Sequence, residues 1–313
     1  MPDFCDHRIP MQLERLETYL AESESRRGAI RRHCEKKIVW HEDRRERRDL
    51  SVVYIHGFSA SRRETWPLCD RLAEAISANL FYTRLSGHGR DGDALACATE
   101  KEWLNDGLEA VAMGRRLGRR VVLVAMSTGA TLATWLATQP SVAPHLHSLV
   151  LLSPNFFPKN PLAALALWSP GLRFLEKFYG GWRCFTVANA EQARYWTARY
   201  PVRAIATMMR LVRLSWQIDL KQAVMPVLMM LNPWDRVVNV SVAVARYHSF
   251  PSPCKRLVLF RKNRDMGRHV LAGDVVTPQS TDRALVIIQE FLAACRQSEP
   301  GRDPSGSTGA PAP

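Results

Sequence analysis

Short apolar runs alternate with amphipathic stretches along most of the chain. Strands are predicted at Lys37 to His41, Ser51 to His56, Asn79 to Arg84, Val121 to Met126, Leu146 to Leu152, Val227 to Leu231 and Arg256 to Phe260. Helical spacing falls between them, over 63–77, 101–117, 239–249 and Thr281 to Cys295. Strands that alternate with helices imply an α/β protein with a mainly parallel sheet covered on both faces. The rhythm breaks at 155–222, which separates two strands that a short connection would otherwise join. That stretch holds 12 of the chain's aromatic residues, including Trp168, Trp182, Trp196 and Trp216. So aromatic an insertion must cover something apolar, and over the C-terminal edge of the sheet it reads as a helical cap.

The flanks differ in kind. Leu13, Leu16 and Leu20 give 1–33 the look of a peripheral helical arm, with the helix across 11–32. Residues 298–313 are rich in Pro, Gly and Ser and predict a disordered tail. The organisation expected is an arm (1–33), a core in two parts (34–154 and 223–297), the cap (155–222) and the tail (298–313). Asp43 to Asp49 reads as a hairpin-like charged turn, mixed in sign and solvated.

Composition narrows the class. A chain of 313 residues, 46% apolar, can bury a large α/β core. Seven scattered cysteines read as reduced thiols, and no leader is visible at Met1 to Asp6, so a cytoplasmic location is expected. No apolar stretch is long enough to span a bilayer. The net charge of +13 comes without a nucleic-acid motif. No His, Cys, Asp or Glu cluster has metal spacing and no glycine-rich loop suits a nucleotide, so no cofactor is expected.

The chemistry centres on Val121-Val122-Leu123-Val124-Ala125-Met126-Ser127-Thr128-Gly129-Ala130. A β-branched run stops at a serine, and a helix-compatible stretch begins at once. Such a turn lifts a hydroxyl above the sheet edge beside a helix N-terminus. Alone, Ser127 could be a helix cap; three other loops change its weight. His56-Gly57-Phe58 ends an earlier strand, and its glycine would let the Phe58 N–H point to the same space as the Thr128 N–H. Asp235 follows the strand at Val227 to Leu231, where a carboxylate can orient a base. His269 lies past the last strand and is the base candidate, with Asp265 a competitor for its orienting acid. The order Ser127, Asp235, His269 is one in which α/β sheets assemble nucleophile, acid and base. His56 and His88 are read as loop-packing residues.

His56-Gly57-Phe58, Gly87-His88-Gly89, Met126-Ser127-Thr128-Gly129, Asp235 and His269 together resemble the α/β-hydrolase superfamily, in its esterase, lipase and monoacylglycerol-lipase-like branch. The resemblance spans about residues 35–296. It implies a serine hydrolase for carboxylic esters, with a small-molecule substrate met by Phe58, Met126 and Trp234 and an oxyanion held by the Phe58 and Thr128 N–H groups. The chain departs from the family's G-x-S-x-G pattern at Ala125, where one added methyl is the mildest replacement. The same residues could cleave a thioester, an amide or an activated C–C bond. A fold kept only for ligand binding is the alternative of a different class.

Charge adds one expectation. Residues 155–222 carry ten Lys or Arg against three Asp or Glu. On a helix over 202–216, Arg203, Arg210 and Arg213 fall within about 80° of one another. That stripe is either a solvated face or an attraction for an anionic lipid or acyl donor.

Overall fold

In a computed structural model, residues 2–261 and 267–297 are described. The strands are β1 (Lys37–Val39), β2 (Arg48–Ile55), β3 (Asn79–Tyr82), β4 (Gly118–Met126), β5 (Leu146–Leu152), β6 (Trp182–Cys184), β7 (Arg199–Pro201), β8 (Val227–Leu231) and β9 (Lys255–Leu259). The α-helices are α1 (Leu16–Ser25), α2 (Leu68–Ala75), α3 (Gly92–Cys97), α4 (Glu100–Leu117), α5 (Thr128–Leu136), α6 (Ser169–Phe178), α7 (Ala190–Tyr195), α8 (Ala204–Gln217), α9 (Val240–His248) and α10 (Pro278–Gln297). Asp265 and the tail 298–313 lie outside the described residues.

Seven strands form one sheet in the order β1-β3-β2-β4-β5-β8-β9 among the described residues. All neighbours run parallel except β1, which pairs antiparallel with β3. The mainly parallel α/β architecture read from the sequence is thus present. The charged 43–49 segment is not a hairpin turn, because β1 and β2 do not pair: β3 stands between them.

Period-two alternation sorts the strand residues onto two cores. Val53, Ile55, Leu123, Ala125, Leu149, Leu151, Met229 and Leu231 face a layer that includes residues of α4, α5 and α8. Val52, Tyr54, Val122, Val124, Met126, Val150, Leu152, Leu228 and Met230 face α2 and α10. Helix α4 begins at a complete capping box, Thr99 with Glu102, which fixes its start against the sheet.

Between β5 and β8 the chain leaves the sheet for α6, α7, α8 and a small antiparallel pair, β6 with β7. The excursion is therefore not purely helical. Helix α8 covers α5, burying Ile205, Met208, Met209 and Val212. Arg203, Arg210 and Arg213 are exposed on its other side. Arg203 pairs with Asp93 at 3.3 Å and Arg210 with Glu100 at 3.5 Å.

Candidate active site

Strand β4 ends at Met126 and α5 starts at Thr128, so Ser127 alone makes the turn. Its φ of 52° and ψ of −117° are costly for a residue with a side chain, about 1–3 kcal/mol. Four backbone hydrogen bonds hold it there. The Ser127 N–H donates to the Leu152 carbonyl at 2.8 Å, and the Ser127 carbonyl accepts from Ala130, Thr131 and Asn155 at 3.0, 3.2 and 3.1 Å. The turn is therefore wedged between the ends of β4 and β5 at the C-terminal edge of the sheet.

Small residues around the serine are a packing demand. A Cβ on Gly129 would sit 2.5 Å from the His56 carbonyl oxygen and nearer still to that of Ile55. Both obstacles are backbone and cannot swing away. Gly129→Ala is expected to cost about 2–3 kcal/mol in a urea melt, from overpacking against fixed atoms. Ala125 is fully buried in the α5-side core, and its methyl is accommodated there.

Past the same edge of the sheet, the His269 Nδ1 and Asp235 Oδ2 atoms are 2.7 Å apart. Asp235 is 3% exposed and its other oxygen accepts the Val237 and Val238 N–H groups at 2.7 and 3.0 Å. With Oδ1 taken by two backbone donors and Oδ2 facing the ring, the carboxylate offers Nδ1 an acceptor and so places the imidazole proton there. In the neutral ring Nε2 is then the nitrogen that carries no proton. Ser153 Oγ donates to the His269 carbonyl at 2.8 Å, which ties that loop to the end of β5. Ser127 Oγ itself makes no hydrogen bond among the described residues.

Across from Ser127, the loop after β2 carries His56-Gly57-Phe58. Burial pushes the His56 imidazole down to about 4, so it is neutral at physiological pH. Its Nε2 accepts from the Leu85 N–H at 3.1 Å, which leaves Nδ1 as the donor to the Gly57 carbonyl at 2.8 Å. The Phe58 and Thr128 N–H groups are engaged by no other group among the described residues. His88 is buried against His56 and Trp103, with ring centroids 4.8 and 5.4 Å away.

The residues expected at the substrate differ in exposure. Phe58 is half-buried against Tyr200 of β7, at 5.2 Å between ring centroids. Trp234 is 51% exposed beneath the Arg261 and Arg268 guanidinium groups. Met126 was expected beside the substrate and is not: period two turns its side chain into the α2 and α10 core, with no exposed surface. Sequence reasoning passed over Glu64, Ser153 and Asn155. Only their burial sets them apart, and a mixed polar loop such as Ser59 to Glu64 does not advertise it.

Among the described residues no helix is long and apolar enough to cross a membrane, and no group of three His, Cys, Asp or Glu could hold a metal ion.

A mainly parallel sheet of this order, with a strained serine and a His–Asp contact past the same edge, defines a class of proteins. The chain belongs to the alpha/beta hydrolase family, whose sequence profile matches residues 52–296. Among solved structures it is similar to a metagenome-derived lipolytic enzyme, with a TM-score of 0.66 and 18% identity over 86% of this chain and 100% of that one. It is also similar to a soluble variant of monoglyceride lipase from Saccharomyces cerevisiae in complex with a substrate analogue (TM-score 0.62, 15% identity, 83% of this chain and 91% of that one). The monoacylglycerol lipase of Paleococcus ferrophilus gives a TM-score of 0.60 at 13% identity, over 83% of this chain and 98% of that one. At such identities the likeness is one of fold. A search of curated protein sequences returns no match.

Proposed function

We propose that this chain is a serine hydrolase of the esterase or lipase type, cleaving carboxylic esters that carry an apolar acyl or aromatic group. Ser127 attacks the acyl carbonyl while His269 Nε2 takes its proton. The Phe58 and Thr128 N–H groups receive the oxyanion, each contributing about 3 kcal/mol of transition-state stabilisation. The alcohol leaves with the proton from His269, and water then resolves the acyl-enzyme by the same steps. Asp235 keeps the ring in the required tautomer and supports the imidazolium. The observation that carries this reading is the 2.7 Å contact of His269 with Asp235 on the edge where the strained Ser127 stands. A fluorophosphonate probe tests it: the native protein should be labelled stoichiometrically, at Ser127. An unlabelled, folded native protein would speak for a ligand-binding role instead.

A lipid substrate finds support in the cap. Trp168, Phe174 and Phe178 are 64%, 54% and 62% exposed, and the two phenylalanines stack one helical turn apart on α6. Arg173 and Lys177 are exposed on the adjoining face. Aromatic rings beside cations suit the surface of an anionic lipid aggregate. The α8 stripe fits that role less well, since Arg203 and Arg210 already meet acids. Changing Trp168, Phe174 and Phe178 together to Ser should lower turnover of an emulsified monoacylglycerol about tenfold. Hydrolysis of a soluble short-chain ester should be unchanged, and equal losses on both substrates would contradict the assignment.

A further inference from the structure

One buried carboxyl in the site has no part in the triad. Glu64 lies seven residues beyond Gly57, on the loop from β2 to α2, and is 3% exposed. Its Oε2 accepts the Gly57 N–H at 2.7 Å and the Tyr54 hydroxyl at 2.9 Å. Its Oε1 is 2.9 Å from the point where a Cβ on Gly57 would sit, and Ser127 Cβ is 3.1 Å from that same point. Glycine at 57 is what lets the carboxyl and the serine close in from two sides. No Lys or Arg pairs with Glu64 among the described residues: Arg62 reaches Glu35, and Arg63 stacks on Trp66 and Tyr195. Burial raises the Glu64 carboxyl pKa, and the hydrogen bonds from the Gly57 N–H and the Tyr54 hydroxyl oppose that rise.

The other side of Gly57 is held as well. His56 donates to the Gly57 carbonyl, so the residue is gripped at its N–H by Glu64 and at its C=O by His56. In a planar trans peptide the Gly57 C=O and the Phe58 N–H point in opposite directions. Fixing the first aims the second. His56 alone would leave the peptide free to pivot about Gly57, the residue with the fewest steric restraints.

We propose that Glu64 is a positioning residue for the oxyanion donor, locking Gly57 so that the Phe58 N–H is aimed above Ser127. The inference rests on the serine-hydrolase reading given above. Loss of the lock lets the donor drift, and a misplacement of about 1 Å lowers the rate roughly 100-fold. Three variants decide it, assayed on a p-nitrophenyl ester. Glu64→Met keeps the volume and removes the acceptor; kcat should fall about 100-fold while KM changes less than about threefold. Glu64→Gln keeps an acceptor for Gly57 and should restore kcat to within about fivefold of the native value. Glu64→Asp keeps the carboxyl but withdraws it by one methylene, and should lose kcat at least tenfold even if the Met variant does not fold. Both the Met and Asp variants should still react with the fluorophosphonate at Ser127, only more slowly. Native kcat in a folded Asp or Met variant would overturn the proposal, as would a Gln variant no better than Met. Failure of the native protein to label would instead remove the serine-hydrolase reading on which the proposal stands.

Discussion

Ser127→Ala is expected to lower kcat/KM for a p-nitrophenyl ester by about 10⁴- to 10⁶-fold and to leave the melting transition in place. The size of the first effect follows from what the hydroxyl alone supplies. Without it His269 has no proton to accept and no acyl-enzyme can form, while the Phe58 and Thr128 N–H groups still offer a modest pull on the carbonyl. Stability should change by less than about 1 kcal/mol, because Ser127 Oγ makes no hydrogen bond among the described residues and alanine bears the same backbone strain. Fluorophosphonate labelling should vanish with the activity. Retention of a tenth of the activity would assign the nucleophile to another residue. Loss of the folded state would mean that the hydroxyl carries a structural burden which its surroundings do not explain.

The elbow was legible because its parts are adjacent in sequence. Strands β2, β4, β5 and β8 are buried on both faces, and such strands read as continuous apolar runs. The end of one run at Ser127 and the immediate onset of α5 left room for a single turn residue. Asp235 and His269 were legible for a related reason, since each follows a strand whose run is plain. What depends on distant partners was not legible. Nothing local to β1 says that it pairs with β3 rather than with β2. The partners of Arg203 and Arg210 lie about a hundred residues earlier, at Asp93 and Glu100, so an amphipathic count sees only unpaired charge. The helix expected over 63–77 begins at Leu68, because the residues before it are spent in the loop that returns Glu64 to Gly57. The arm's helix is confined to Leu16–Ser25. Strands β6 and β7 have three residues each, too few for alternation to register. Met126 illustrates a subtler miss: adjacency to the nucleophile in sequence suggested adjacency to substrate, whereas the pleat turns it into the opposite core.

Asp235→Asn should lower kcat by about 10⁴-fold with little change in KM, and the reason lies in how the two carboxylate oxygens are used. Oδ1 accepts from Val237 and Val238, and Oδ2 contacts His269 Nδ1. All three neighbours ask for an acceptor. An asparagine has one acceptor oxygen and one donor nitrogen, so it cannot serve both ends. The two backbone N–H groups are fixed by the loop at the start of α9 and will take the amide oxygen. The amide NH₂ then faces Nδ1, which can satisfy it only as an acceptor. The ring proton is driven to Nε2, the atom that must take the proton from Ser127, and the base is disabled without any displacement of the chain. The opposite flip would place the NH₂ against two N–H donors and cost about 1–3 kcal/mol for each group left unmet. A structure of the variant should therefore superpose on the native one, and fluorophosphonate labelling should slow in proportion to kcat. Asp235→Asn activity within tenfold of native would show that another group orients His269, and the carboxylate at 235 would then lose its orienting role.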